Sequence, residues 1–171
     1  MIRRLPVFCL LSVLLLCLAG CAHYQLGTEG KLPFSTLYIE PVANKTLLPQ
    51  ARAIVSTQLR EAFIHDARVT LVDSAAAADA TLTVTITDYH REMTVAREDD
   101  TGLARKFALT LGTTCSLRDN RSGTVLFNHR AVSVQRDAFT DSGQLQAEYQ
   151  MLPLLADALA DKITHTVLDV W

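Results

Sequence analysis

Thr81-Leu82-Thr83-Val84-Thr85-Ile86-Thr87 alternates without a break, with three aliphatic side chains on one parity and four threonines on the other. Successive side chains of a β-strand point to opposite faces, so this stretch is a strand with one dry face and one wet face. The pattern then changes parity: Tyr89, Met93 and Val95 are odd-numbered where Leu82, Val84 and Ile86 are even. Either a bulge near Asp88 restores the facing, or the outer half of the strand presents its apolar side to something else.

Downstream, Glu98 to Leu103 carries Asp99-Asp100 and Gly102, which is turn chemistry. A returning strand from Arg105 to Leu117 places Phe107, Leu109, Leu111, Thr113, Cys115 and Leu117 on one face. Asp119-Asn120-Arg121-Ser122-Gly123 makes the next turn, and a last strand runs from Thr124 to about Gln135. Both connections are too short for a crossover, so the three long strands form an antiparallel meander. Upstream, a strand from Thr36 to about Val42 ends at Pro41 and the Asn44-Lys45-Thr46 cluster. Pro49 suits the first turn of a helix, in which Ala51, Ile54, Val55, Leu59, Ala62 and Phe63 form one apolar stripe. Val69 to Asp73 is a short strand, and Ala75 to Ala80 is a connector too short for its helical propensity to act on. A final helix, capped by Asp141 or Ser142, carries Leu145, Tyr149, Leu152, Ala156, Leu159, Ile163 and Val167 or Val170 on one side. Pro153 inside it removes a hydrogen bond and predicts a kink or a break into two helices. The elements sum to an α+β fold, a two-layer sandwich of a four- to five-stranded, mixed but mainly antiparallel sheet with two helices on one face.

The first twenty residues read differently. Arg3 and Arg4 precede an apolar run from Leu5 to Leu18, too short to span a bilayer comfortably, which ends in Ala19 and Gly20. Leu18-Ala19-Gly20-Cys21 resembles the lipobox of bacterial lipoproteins. That resemblance implies a signal peptide over residues 1–20, a mature chain starting at Cys21, and diacylglyceryl and N-acyl chains on that residue, which hold the protein on a membrane. Ala22 in place of Asp favours, by analogy with the enterobacterial sorting rule, the periplasmic face of the outer membrane. Residues 21–34 are then a lipidated tether and 35–171 a single domain. Removing the signal takes Arg3 and Arg4 from the 16 basic side chains and leaves 14 against 18 acidic ones, a formal charge of −4. That balance lacks the basic excess that nucleic acids demand. Of the four cysteines, Cys9 and Cys17 leave with the signal and Cys21 carries lipid, so Cys115 has no partner and reads as a small buried hydrophobe.

Taken in order, the elements resemble the LPS-assembly lipoprotein family. The residues that carry the resemblance are Cys21-Ala22-His23-Tyr24-Gln25-Leu26-Gly27, then Leu37-Tyr38-Ile39-Glu40-Pro41-Val42-Ala43-Asn44-Lys45-Thr46. Ala78-Asp79-Ala80-Thr81-Leu82 follows, leading into Ile86-Thr87-Asp88-Tyr89, and the amphipathic helix closes at Trp171. The resemblance implies a non-covalent role: the domain plugs the large outer-membrane β-barrel that inserts lipopolysaccharide into the outer leaflet, helps it assemble, and contacts lipopolysaccharide. It also implies that basic residues near the hairpin tip meet lipopolysaccharide phosphates, here Arg97, Arg105 and Lys106, by bidentate guanidinium contacts and the lysine beside them. The same charges would also balance Glu98, Asp99 and Asp100 across a solvated turn. Similar opening strands and loops occur in lipoproteins that activate a peptidoglycan synthase or a secretion complex, which is the alternative function.

Other chemistry finds no support in the chain. His23, His65, His90, His129 and His165 are scattered without paired spacing, so no metal site is expected. No nucleophile elbow or phosphate-cradling glycine loop occurs, and an enzyme is not expected. Asp88 and His90 share a strand face but lack a nucleophile.

Overall fold

The computed structural model describes residues 32–96, 98, 104–140 and 143–169. The expected signal peptide, Cys21 and most of the tether lie outside these residues. So do Arg97, the Asp99-Asp100 and Gly102 turn, the Asp141 and Ser142 caps, and the last two residues.

The chain order is β1 (Thr36–Ile39), β2 (Ala43–Asn44), α1 (Ala51–Asp66), β3 (Thr70–Leu71), a 3-10 turn (Ala75–Ala77), β4 (Ala80–Ala96), β5 (Ala104–Asp119), β6 (Val125–Phe139) and α2 (Gln144–Leu168). One mixed sheet has the order β3-β1-β4-β5-β6, with the two-residue β2 also paired to β4. β1 is parallel to both β3 and β4, while β4, β5 and β6 form the antiparallel meander. The α+β architecture read from the sequence is therefore the one observed.

The alternating stretch at the start of β4 buries Leu82, Val84 and Ile86 against the helices. Ile86 then pairs with Thr113 and Asp88 with Gly112, which leaves Thr87 as the extra residue of a bulge. Beyond it Tyr89, Arg91 and Met93 stand opposite Leu111, Leu109 and Phe107, on the same face as the core. Gly112 admits this packing, because a Cβ there would lie 3.3 Å from the Cβ of Asp88. A second irregularity at Asn128 and His129, where His129 takes φ of 49°, switches β6 from Phe127 to the even-numbered Val132 and Ala138 in the core. β6 also runs four residues past the expected end, to Phe139.

In α1 the buried residues are Ala51, Val55, Leu59 and Phe63, the expected stripe, with Ile54 and Ala62 partly buried beside them. Pro49 lies before the cap position, Gln50, rather than in the first turn. α2 is one helix of 25 residues with Pro153 inside it, not two. Pro153 is on the exposed side, where water can satisfy the carbonyl that loses its bond. The buried stripe of α2 contains Leu152, Ala156, Leu159, Ile163 and Val167 as expected. Leu145 and Tyr149 depart from it: they are 78% and 68% exposed. The helix begins after Gly143, at φ of 98° and with no side-chain cap.

Candidate functional site

Two of the residue groups that carried the family resemblance build turns and joints. Asn44 accepts from the Thr46 N–H at 2.9 Å and hydroxyl at 2.8 Å, and its own amide donates to the Leu48 carbonyl at 2.8 Å, which closes the loop into α1. Asp79 accepts from the N–H and hydroxyl of Ser35, both at 2.8 Å, and from the Thr36 N–H at 3.0 Å. These donors, with Arg121 3.6 Å away, hold its carboxyl far below the usual carboxylate range. The contacts fasten the start of β1 to the start of β4.

The other end of the long hairpin differs. Arg105, near the start of β5, is exposed and forms no ion pair among the described residues. Lys106, half-buried beside it, pairs with Asp137 at 2.8 Å and holds its ammonium 5.9 Å from the centre of the Phe139 ring. Register places Lys106 opposite Val95 on one side and Phe139 on the other. Val95, Arg105, Lys106 and Phe139 line an open basin of about 540 Å³. Of the three expected contact residues, Arg105 and Lys106 thus lie together on the basin, and Arg97 lies outside the described residues. Lys106 already has a carboxylate partner, so Arg105 is the freer of the two charges.

Of the apolar side chains at this end, the sequence singles out Met93 and Val95 by their parity but not Phe139. Val95 and Phe139, both opposite Lys106, are exposed on the open face of the sheet, and Met93 is exposed on the other face, the side of α2 with its exposed Leu145 and Tyr149. The parity change in β4 was the available signal: the bulge at Thr87 restores the facing of Tyr89 and Met93, and a second register shift between Met93 and Val95 turns Val95 to the open face beside Lys106. The first turns of α2 still reach this region. Tyr89 donates to Glu148 at 3.4 Å, and Arg91 forms an ion pair with the same carboxylate. Burial, then Glu148, pushes the Tyr89 hydroxyl up to about 12.

Among the described residues no cluster of histidine, cysteine and carboxylate side chains is arranged to hold a metal, and no helix is long and apolar enough to cross a membrane. Asp88 and His90 share the open face of the sheet, and no hydrogen bond joins them.

A family model described as lipopolysaccharide-assembly (LptE) matches residues 34–167. Among curated proteins no match was found. The fold is similar to that of a minor lipoprotein from Acinetobacter baumannii, 17% identical, with a TM-score of 0.52 over 80% of this chain and 92% of that one. It is similar to lipoprotein B from Nitrosomonas europaea, 16% identical, with a TM-score of 0.53 over 81% and 82% of the two chains. A Xanthomonas campestris protein, 10% identical, gives a TM-score of 0.60 over 84% and 90%. At these identities the likeness concerns the fold.

Proposed function

The chain belongs to the lipopolysaccharide-assembly (LptE) family of outer-membrane lipoproteins, and we propose that it plugs and helps assemble the β-barrel that inserts lipopolysaccharide into the outer leaflet, contacting lipopolysaccharide as it passes. The work is non-covalent, as befits an assembly family rather than an enzyme family. In this reading residues 1–20 are the removed signal, 21–34 carry the lipid on Cys21 and tether the domain, and 35–171 fold. Roughly a dozen residues at about 3.5 Å each keep the domain within about 40 Å of its membrane at the periplasmic face. A plug in a water-filled lumen needs a polar outer surface, and the threonine face of β4, with Thr83, Thr85 and Thr87, supplies one.

The observation that carries the lipopolysaccharide contact is the basin at the hairpin end, where Arg105, without an ion pair among the described residues, stands beside Val95 and the exposed Phe139. A phosphorylated, acylated amphiphile needs this pairing: a guanidinium for phosphate and apolar carbon for chains. Arg97, two residues beyond Val95, would add a second guanidinium. Changing Arg97→Glu and Arg105→Glu together is expected to weaken binding of lipopolysaccharide about tenfold or more, while circular dichroism shows an unchanged fold. Lys106→Gln should weaken it less, because Asp137 already holds that charge. Unchanged binding by the double variant would retire the site.

A further inference from the structure

β4 is paired with β5 along its length, but on its other side only near its beginning. There Leu37 to Ile39 stand opposite Ala80 to Leu82, and Ala43 and Asn44 opposite Thr85 and Ile86. Beyond Ile86 no described strand pairs with that side, and Thr87 to Val95 are exposed apart from the half-buried Tyr89.

The bonds already made fix where the free main-chain groups point. The carbonyls of the core-facing Leu82 and Ile86 accept from the N–H groups of Glu40 at 3.0 Å and Lys45 at 2.9 Å. Along a strand of L-residues, the face taken by a side chain sets the side to which its N–H and C=O point. After the bulge the residues on the core side are Tyr89, Arg91 and Met93, so their main-chain groups point out of the sheet edge.

The other long edge is guarded. His129 bends β6 at φ of 49°, and Lys162 of α2 donates to the Ser133 carbonyl at 2.8 Å. Such devices blunt an edge against further pairing. No side chain among the described residues donates to the carbonyls of Tyr89, Arg91 or Met93.

We propose that residues 89–93 pair, antiparallel, with the same residues of a second copy of this chain, about a two-fold axis at Arg91. The segment is complementary to itself in that register. On the open face His90 stands opposite the partner's Glu92, and an imidazole N–H donates to a carboxylate; neither residue has a polar partner among the described residues of its own chain. On the helix side Tyr89 meets the partner's Met93, a favourable ring and thioether contact. Arg91 stands opposite its own copy, and Glu148 of the same chain already neutralises each guanidinium. Moving the axis to His90 puts Asp88 opposite the partner's Glu92, and moving it to Glu92 puts that carboxylate opposite itself; both registers set like charges together. A two-fold contact uses up the open edge on each copy, so assembly stops at the dimer. The pairing requires neither lipopolysaccharide nor a barrel.

The test uses the full chain in mild detergent. Arg91→Cys places two thiols in a hydrogen-bonded pair with Cα atoms about 5.5 Å apart, within the span of a disulfide. Asp88→Cys leaves its two copies about 20 Å apart at roughly 3.3 Å per residue along the strands. Under a mild oxidant Arg91→Cys is expected to give a covalent dimer of twice the chain mass. Asp88→Cys and the unaltered chain, whose Cys115 is buried, should give none. Adding Glu92→Lys to Arg91→Cys should lower the dimer yield at least about fivefold, and His90→Glu beside it should restore the yield. In the unaltered chain, hydrogen exchange at the amides of Tyr89, Arg91 and Met93 should slow as protein concentration rises, while His90 and Glu92, which point to β5, stay constant. Equal cross-linking of Asp88→Cys, or exchange independent of concentration, overturns the pairing. A cross-linked product of any other mass also overturns it and makes this edge the docking strand of a different protein.

Discussion

Asp79 and Cys115 illustrate how single side chains settle into opposite environments. The carboxylate of Asp79 collects three donors from the start of β1, so its folded pKa lies below its ordinary value of 3.8. A depressed carboxyl stabilises the fold above the unfolded pKa, and that contribution is lost as the pH falls through the folded one. Asp79→Asn is therefore expected to lower the melting temperature at pH 7 and to flatten its decline below about pH 4, as read from thermal melts across pH. Cys115 has the reverse surroundings: it is fully buried, and burial pushes its thiol up to about 11. It should resist a soluble thiol reagent in the native protein and react at once in denaturant; rapid native labelling would contradict the packing. The burial of Cys115 was legible in the sequence because strict alternation fixes the face of every residue in β5. The role of Asp79 was not, since its donors come from a segment 43 or more residues away. Arg105 could be placed near the turn by sequence, but the neighbouring Phe139 could not, because β6 continues beyond its apparent polar end.

At the scale of elements, the bulge at Thr87 decides what the hairpin presents. With it, Tyr89 and Arg91 reach Glu148 on α2; without it, every residue beyond Ile86 changes face. Deleting Thr87, by contrast, removes the extra residue itself: Ile86, Asp88 and Tyr89 then stand opposite Thr113, Gly112 and Leu111 in an unbroken ladder, and Tyr89, Arg91 and Met93 keep the face they share with the core. The expected result is hydrogen-exchange protection kept over residues 89–96 as well as at Leu82 to Ile86. Loss of protection over residues 89–96 would contradict the assignment of Thr87 as the extra residue. The sequence posed the bulge as one of two options, because parity alone cannot say whether a strand or its cover has shifted. The same limit explains Leu145 and Tyr149. Their spacing continues the stripe of α2, but helical period reports direction, not whether a sheet lies beneath. Pro153 shows a complementary case: helix packing along Leu152, Leu155 and Leu159, all buried, holds together a segment that local propensity would split.

For the whole molecule, two ends of one sheet differ in character. The end near β1 is tied by Asp79, Asn44 and Arg121, which donates to the Pro33 carbonyl at 2.6 Å, and the chain enters there. The far end carries the cation and the exposed apolar side chains. The fold class was readable from periodicity and turn chemistry, because three long strands and two amphipathic helices leave few ways to bury their apolar faces. Of the proposed contact surface, the sequence offered the charges but not Phe139, since exposure depends on where neighbouring elements stop. The reading as a barrel plug depends on a partner of matching shape. Its most direct measurement is affinity purification of the lipidated protein, made in its native host and kept in mild detergent. A large outer-membrane β-barrel is expected in near-equal stoichiometry; absence of any barrel, with a peptidoglycan synthase or secretion complex recovered instead, would contradict the plug role.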